Sequence, residues 1–248
     1  MPKNHRKMVV VVGATSGIIQ AVMRQLATEG KYDFTLIGRN KNELQQTQKD
    51  LEIRDPTSTI LLYSADDISN SDFISSTTAK AANSEMVFIC IGMLPEQNRT
   101  QQDLQYLEHT FKINALIPIL WLEAFASRSE HRRNCTIGIM SSVAGDRGRK
   151  SNYCYGAAKS LIDTYVQGLQ HRFHKTNKSF VLIKPGPTKS RMTLHLAQSQ
   201  LADPAKVAND IIKAMRSRKS IIYTPLKWWA IMLVIKSLPR QVFNRTSI

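Results

Sequence analysis

Residues 140–159 include a serine, a tyrosine and a lysine whose spacing suits acid–base chemistry. Tyr155 and Lys159 are four residues apart, so on a helix they lie on one face, one turn from each other. Ser142 stands thirteen residues before the tyrosine, at the end of an apolar run that predicts a strand. A hydroxyl, a phenol and an ammonium brought together can polarise a carbonyl group and donate a proton to it. The segment therefore predicts a proton-transfer site, which the surrounding elements must position.

Those elements alternate along the chain between apolar runs and amphipathic stretches. The run 8–12 is continuous and β-branched, as expected of a strand buried on both faces. The alternation, without a linker or repeat, predicts one α/β domain on a doubly wound parallel sheet of about seven strands. The predicted strands are 8–12, 34–37, 59–63, 86–91, 136–140, 180–183 and 221–223. The predicted helices include 18–29, 43–53, 71–82, 102–128 interrupted at Pro118, and one that opens at Asp203-Pro204. We expect residues 1–224 to form the catalytic domain and residues 225–248 a C-terminal amphipathic tail.

The composition narrows the class of protein. Of the 248 residues, 42% are hydrophobic and 21% are charged, as in an ordinary globular protein. Cys90, Cys135 and Cys154 are odd in number and have no CxxC spacing, which argues against a disulfide framework or a zinc site. The apolar segment 8–12 is too short for a signal-peptide core. We therefore expect no metal and a cytoplasmic location.

The charge balance favours anionic partners. Thirty-four Lys and Arg residues against 19 Asp and Glu residues give a net charge of +15. Such an excess suits nucleic acid, acidic lipid headgroups or phosphorylated substrates. The sequence has no zinc-finger spacing and no basic helix with interleaved aromatic residues, so specific nucleic-acid recognition is not predicted.

Two turns predict a dinucleotide site. Gly13 and Gly17 lie between the first strand and the first helix, where free backbone amides and the helix dipole can hold a pyrophosphate. The second strand ends where the adenosine ribose of a dinucleotide would lie. NAD sites usually place an acidic residue there, whereas this chain has Arg39 and Lys41. Because cations suit a 2′-phosphate, we infer NADPH in preference to NADH; the alternative is a solvated basic helix start.

The tail contains eight uninterrupted apolar residues, 228–235, flanked by lysines. A helix of that length covers about 12 Å, against roughly 30 Å for a bilayer core, so it does not span a membrane. Two alternatives remain. The tail lies in a membrane interface, with Arg240 and Arg245 near acidic lipid, or it packs on the domain or a second subunit of a homo-oligomer.

Five motifs in this order resemble the short-chain dehydrogenase/reductase family over residues 8–224. They are Gly13-x-x-x-Gly17, Asn114, Ser142, Tyr155-x-x-x-Lys159 and Pro185-Gly186. The resemblance implies a single-domain Rossmann fold. Residues 140–159 and 184–195, with Trp228 and Pro239-Arg240, look similar to the decaprenylphosphoryl-2-keto-pentose reductases and related bacterial enzymes.

The resemblance implies a role for each catalytic position. Tyr155 is the general acid, Lys159 lowers the pKa of the phenol and binds the nicotinamide ribose, Ser142 holds the substrate carbonyl, and Asn114 fixes a water behind Lys159. Asp67, with Asp66 as the alternative, contacts adenine. The implied cofactor-binding residues are Gly13, Thr15, Ser16, Gly17, Ile18, Arg39, Asp67, Ile68, Gly92, Tyr155, Lys159, Pro185, Gly186 and Thr188, with Ser190 near the pyrophosphate.

The chain departs from the family pattern at two places. Ile19 stands where the family has a third glycine, and residues 89–92 read Ile-Cys-Ile-Gly in place of Asn-Asn-Ala-Gly. Both departures raise the question of weaker cofactor binding.

Five cations are expected near the substrate entrance, because they flank the carboxyl ends of two predicted strands: Arg147, Arg149, Lys150, Lys189 and Arg191. They favour an anionic ketone, such as a lipid-linked or phosphorylated keto-sugar. Lys189 and Arg191 equally suit the cofactor phosphates. Three functions remain open: an NADPH-dependent reductase of such a ketone, a reductase of a soluble 3-oxoacyl thioester or small ketone, and a catalytically idle dinucleotide-binding protein.

Overall fold

The computed structural model describes residues 6–128, 134–194 and 197–246. Outside these ranges lie residues 1–5 of the predicted domain and residues 247–248 of the predicted tail. Residue 195, in the segment 184–195 that carries part of the resemblance, also lies outside them. Seven parallel strands form one sheet in the order β3-β2-β1-β4-β5-β6-β7, which confirms the predicted Rossmann-type α/β fold. The strands are β1 (Lys7–Val12), β2 (Tyr32–Gly38), β3 (Ile60–Ser64), β4 (Met86–Ile89), β5 (Cys135–Met140), β6 (Lys178–Pro185) and β7 (Ile221–Thr224).

Helices cover both faces of this sheet. They are α1 (Gly17–Ala27), α2 (Lys41–Arg54), α3 (Ser71–Lys80), α4 (Gln97–Gln102), α5 (Leu104–Phe111), α6 (Ile117–Ser127), α7 (Tyr153–Arg172), α8 (Pro204–Arg216), α9 (Lys227–Ser237) and α10 (Arg240–Phe243). In β1, Val9 and Val11 belong to one apolar cluster, with α1 and α8, while Val10 and Val12 belong to the other, with α6 and α7. The continuous apolar run thus follows from burial on both faces. The strand order reverses between β1 and β4, where doubly wound proteins bind ligands.

The predicted interruption of the helix over 102–128 is wrong in its position. Helices α5 and α6 are joined by a π-helical turn, Lys112–Leu116, so the irregularity lies before Pro118 rather than at it. Pro118 lies in the first turn of α6, directly after this π-turn. π-turns of this kind occur frequently at functional sites, and this one contains the fully buried Asn114.

The tail folds back onto the domain. Trp228, Met232 and Ile235 lie one turn apart along α9 and pack against Val143, in the loop after β5. The Arg147 guanidinium donates hydrogen bonds to the carbonyls of Ile235 (2.5 Å), Lys236 (3.3 Å) and Leu238 (2.7 Å) and lies 3.9 Å from the centre of the Phe243 ring. In the described ranges, no helix has the length and apolarity that crossing a membrane requires.

Candidate active site

Ser142, Tyr155 and Lys159 meet where β5 ends and α7 begins. Ser142 caps the short 3₁₀ turn Val143–Asp146, its Oγ accepting a hydrogen bond from the Ala144 amide at 3.1 Å. Tyr155 and Lys159 lie one turn apart on α7, and the Lys159 Nζ is 5.6 Å from the centre of the Tyr155 ring. A phenol, a hydroxyl and an ammonium therefore line one end of the sheet.

Burial sets the protonation states of this group. Burial raises the pKa of Tyr155 to about 12, and a side-chain hydrogen bond with Ser142 offsets only part of that rise. Burial lowers the pKa of Lys159 to about 8, although the Asp163 charge opposes the change. The hydrogen bond from Ser142 acts in the direction that the resemblance implies for Lys159, because it lowers the pKa of the phenol. At neutral pH the phenol keeps its proton and the amine is mostly charged.

Asn114 lies directly behind Lys159. Its Oδ1 accepts a hydrogen bond from the Met93 amide at 2.9 Å, and its Nδ2 donates to the Thr110 carbonyl at 3.1 Å. A Cβ at Gly92 would lie 3.0 Å from the Asn114 Oδ1 and 3.5 Å from the Lys159 Nζ. The structure thus brings Gly92, Asn114 and Lys159 together, and a side chain at position 92 would press on the Asn114 amide.

The glycine turn after β1 forms a cradle with the segment after β6. Gly13 has a φ of +81°, and a Cβ there would lie 2.6 Å from the Cys90 carbonyl oxygen. A Cβ at Gly17 would lie 3.3 Å from the Cβ of Ser190. Ser16 occupies the N-cap of α1 without a side-chain capping bond, and Ile18 follows in the first turn. The amides at this helix start are thus positioned to hold a pyrophosphate.

The segment after β6 crosses this cradle. Thr188 is buried and donates a hydrogen bond from its hydroxyl to the Gly186 carbonyl at 2.9 Å. The Arg191 Nη2 donates to the Thr15 carbonyl at 3.0 Å and pairs with Glu43 at 3.3 Å. Arg191 therefore lies on the cofactor side of the site rather than at the substrate entrance.

A cavity of about 420 Å³ lies at the ends of β2 and β3. Its lining residues are Arg39, Asn40, Lys41, Asn42, Ser64, Ala65 and Asp66. Arg39 and Lys41 are exposed and form no ion pair within the described part of the chain. This donor set fits a phosphorylated ribose. Asp66 faces the cavity, whereas the Asp67 carboxylate accepts hydrogen bonds from the Ser69 amide (2.8 Å) and hydroxyl (2.5 Å), and Ile68 is buried beside it.

At the two departures from the family pattern, the side chains of Ile19 and Cys90 are buried in the apolar interior. Ile19 is fully buried in the cluster that contains Val22 and Leu26. Cys90 is buried at the end of β4, and burial raises the pKa of its thiol to about 12. Side chains at both positions thus contribute apolar packing where the family has glycine or asparagine.

A buried ionic network, which the sequence did not predict, lies behind the site. The Lys184 ammonium pairs with Asp146 and with Asp163, the latter at 2.5 Å. Ser141 donates a hydrogen bond to Asp163, and the Tyr223 hydroxyl donates to Asp146 at 3.0 Å. Burial raises the pKa of Asp163. One signal was present: Asp163 follows Lys159 by four residues and therefore shares its helix face.

The five cations expected at the substrate entrance separate in the structure. Arg147 is engaged by the tail and Arg191 by the glycine turn, so neither prediction of a substrate contact fits the geometry. Arg149 is half-buried, with its Nη2 3.4 Å from the Val143 carbonyl and 3.4 Å from the Met232 Sδ. Burial lowers its pKa. Lys150 and Lys189 are exposed.

The tail also reaches the Pro185-Gly186 pair. A Cβ at Gly186 would lie 1.9 Å from the Trp228 Nε1, so the indole sits directly on the glycine backbone. Helix α9 therefore forms one side of the site, next to residues that the family resemblance assigns to the cofactor.

Comparison with known proteins establishes the family. The short chain dehydrogenase profile matches residues 7–201. An uncharacterized oxidoreductase of Mycobacterium tuberculosis is 27% identical over 243 residues, 96% of each chain. Another, of Streptomyces coelicolor, is 24% identical over 251 residues, 99% of each chain. The chain belongs to the short-chain dehydrogenase family.

Solved structures share the fold. A short chain dehydrogenase from Burkholderia cenocepacia, in complex with NADP, superposes with a TM-score of 0.83 over 99% of this chain and 98% of that one, at 14% identity. One from Sphingobium yanoikuyae, in complex with NADPH, gives 0.78 over 94% and 97%, at 17% identity. Together with the family assignment, the fold defines an NAD(P)-dependent oxidoreductase, as the sequence predicted.

Proposed function

We propose that this protein is an NADPH-dependent reductase of a ketone, with Tyr155 as the general acid. The observation that carries the proposal is the meeting of Ser142, Tyr155 and Lys159 beside a glycine cradle. When bound, the nicotinamide cofactor supplies the hydride. The chain's own residues orient the carbonyl and supply the proton.

In this mechanism Ser142 donates a hydrogen bond to the substrate oxygen, and Tyr155 transfers its phenolic proton to the same oxygen. An alkoxide is a stronger base than a phenolate, so a phenol with a pKa of about 12 still protonates it. The charged Lys159 stabilises the resulting phenolate and binds the nicotinamide ribose. Asn114, which faces Gly92 beside the ammonium, holds the water that returns the proton.

The preference for NADPH is supported by Arg39 and Lys41 at the cavity between β2 and β3. The NADP and NADPH bound in the two similar structures agree with this choice. Asp66 or Asp67 would contact the adenine. Arg39→Asp is expected to lower the ratio of NADPH to NADH affinity at least tenfold, because it puts a carboxylate beside the 2′-phosphate. Lys213→Asp, on the exposed face of α8, is the control. An unchanged ratio would mean that Arg39 is only a surface residue.

The substrate is proposed to be an anionic, hydroxylated ketone. Two buried atoms in the loop before Tyr155, the Arg149 Nε and the Asn152 Oδ1, lack a hydrogen-bond partner among the described residues. Asn152 is also the N-cap residue of α7, yet its side chain makes no capping bond. Buried polar groups are normally paired, so this donor and this acceptor suit an anionic group and a hydroxyl of the substrate. A lipid-linked or phosphorylated keto-sugar, as reduced by the decaprenylphosphoryl-2-keto-pentose reductases, has both.

A lipid-linked substrate would also explain the apolar and basic character of the tail. We place the protein in the cytoplasm, with peripheral contact at the inner face of the cell membrane through residues 226–245. The alternative is a 3-oxoacyl or small soluble ketone, with α9 sealing the pocket through Trp228. A third possibility is a catalytically idle dinucleotide-binding protein.

NADPH oxidation against a panel of ketones separates these functions. The panel contains phosphorylated keto-sugars, a 3-oxoacyl thioester and small neutral ketones. Tyr155→Phe is expected to lower kcat at least a hundredfold, whereas Tyr153→Phe, on the exposed side of the same helix, is the matched control. Activity that survives loss of the Tyr155 phenol would refute the mechanism, and no activity on any ketone would favour the idle protein.

The Arg149→Met variant tests the substrate class. It is expected to lower kcat/KM at least tenfold for a phosphorylated ketone and to leave a neutral ketone unaffected, because only the first needs the cation. Lys150→Met, at the exposed neighbouring position, controls for a general change of charge. Equal losses on both substrates would assign Arg149 a structural role.

A further inference from the structure

Helix α9 has a second apolar face, opposite the one that packs on the domain. Trp228, Met232 and Ile235 face the protein. With about 100° between successive residues, the opposite side of the helix holds Ser237 at its C-terminal end and five apolar residues, which we name the outward face: Leu226, Trp229, Ala230, Leu233 and Val234. Leu226, Trp229, Leu233 and Val234 are between 53% and 74% exposed. Contiguous exposed apolar surface of this kind normally marks an interaction site.

Two lysines border this face. Lys227 and Lys236 are exposed and lie about 20° beyond its two edges, next to Val234 and Trp229 respectively. Their alkyl chains can lie along an apolar layer while their ammonium groups stay in water. This arrangement, with tryptophan near the boundary, is typical of a helix that lies in the plane of a membrane interface.

The charge of the whole C-terminal region points to an anionic partner. After Asp210 the sequence has eight Lys and Arg residues and no Asp or Glu. A second copy docked through the outward face would bring Lys227 and Lys236 of both copies together, with no Asp or Glu side chain in this region to pair with them. Anionic lipid headgroups supply the missing charge, each nearby cation contributing about 1 kcal/mol.

We infer that the outward face of α9 binds an anionic bilayer surface, with the helix parallel to the membrane. Residues Leu226, Trp229, Leu233 and Val234 enter the headgroup boundary, while Lys227 and Lys236 contact phosphates. The eleven-residue helix is about 16 Å long, so it lies on the bilayer rather than across it. The inference deepens the membrane contact in the proposed function, but it rests on the geometry of α9 and not on the reaction.

The face of α9 that packs on the domain fixes the position of the outward face relative to the catalytic site. Arg147 holds the C-terminal carbonyls of α9, and Trp228 lies on Gly186 at the other end of the helix. Bilayer contact therefore positions the loop between Ser142 and Tyr155 close to the membrane plane. A ketone carried on a lipid would reach the site without leaving the interface.

The test is sedimentation of the full-length protein with vesicles, without cofactor or substrate. One vesicle preparation is phosphatidylcholine alone, and the other contains equal parts of phosphatidylcholine and phosphatidylglycerol. We expect binding to the anionic vesicles that weakens as salt is added. Trp229→Ser combined with Leu233→Ser should reduce binding at least about tenfold, because both side chains lose their apolar contact. Lys227→Glu combined with Lys236→Glu should abolish the preference for phosphatidylglycerol.

Two controls keep the result specific. Ile53→Ser removes an even more exposed apolar side chain, from α2, and should bind like the wild type. Tyr155→Phe should also bind like the wild type, which separates this inference from the proposed chemistry. Equal binding to both vesicle types would overturn the inference. The inference would also be overturned if the protein failed to bind vesicles but formed a concentration-dependent dimer that the Trp229 and Leu233 substitutions disrupt. That result would assign the outward face to contact with a second copy.

Discussion

Replacing Lys159 with methionine removes a cation that the fold buries to 2% exposure. Burial lowers the pKa of Lys159 from its usual 10.5 to about 8, so the charged form costs about 3 kcal/mol more in the folded than in the unfolded chain. Methionine avoids that cost but loses the hydrogen bond to the Met140 carbonyl at 3.1 Å, worth about 1 kcal/mol. The substitution is therefore expected to raise the free energy of unfolding by about 2 kcal/mol at pH 7, while catalysis falls at least a hundredfold.

The pH dependence distinguishes this cause from better packing. Below pH 8 the lysine is protonated in both the folded and the unfolded chain, so the wild type bears the full cost of burying the charge. Between pH 8 and 10.5 the folded state loses its proton first, and the stability of the wild type rises with pH. Above that range both states are neutral. The advantage of Lys159→Met should therefore disappear as pH rises from 8 to 10.5.

Urea denaturation without cofactor, at pH 7 and at pH 10, measures both quantities. Lys49→Met, at an exposed position on α2, is the control and should change stability by less than about 0.5 kcal/mol at either pH. A Lys159→Met variant less stable than the wild type at pH 7 would refute the reasoning. An advantage of equal size at both pH values would assign the gain to packing instead of charge.

Three further predictions follow from the same contacts. Arg147→Lys should lower the free energy of unfolding, measured in urea, by about 1–3 kcal/mol, since it loses the carbonyl bonds and the ring contact. Arg54→Lys, at an exposed arginine paired with Asp50, should change little, and a similar loss there would show that the contacts of Arg147 with the tail add no stability. Gly186→Ala should displace the Trp228 indole, because the new Cβ would occupy its place. A shift in tryptophan fluorescence and a raised KM for NADPH would report the displacement. Gly168→Ala is the control: there is open space around this position, so the substitution should only stabilise α7. Asp163→Asn should shift the alkaline limb of the pH–activity profile to lower pH, because the Asp163 charge raises the pKa of Lys159. If the profile does not move, the role of Asp163 is limited to its pairing with Lys184.

Local patterns were enough to predict the sheet and the proximity of Tyr155 and Lys159. The apolar run 8–12 indicated a central strand because both of its faces are covered. The four-residue spacing of Tyr155 and Lys159 places both side chains on one face of helix α7. The π-turn around Asn114 had no such signal, since it depends on a hydrogen bond to Met93 across the site.

Long-range partners explain the remaining errors. Arg147 was assigned to substrate because its charge was visible in the sequence, whereas its carbonyl partners lie 88 or more residues further along the chain. The pairing of Lys184 with Asp146 and Asp163 joins three segments that only the completed fold brings together. Charge and helix position were readable from the sequence, but the identity of the neighbour was not.

The contact of Trp228 with Gly186 has a consequence for how this chain can be dissected. A form that ends before Pro225 would expose Val143 to water and leave the Arg147 guanidinium without the carbonyls of Ile235 and Leu238. The tail thus packs on the domain beside Val143 and Gly186 and is part of its structure. We expect truncation to disturb both the proposed active site and the proposed membrane contact, so single substitutions on the outward face separate the two more cleanly.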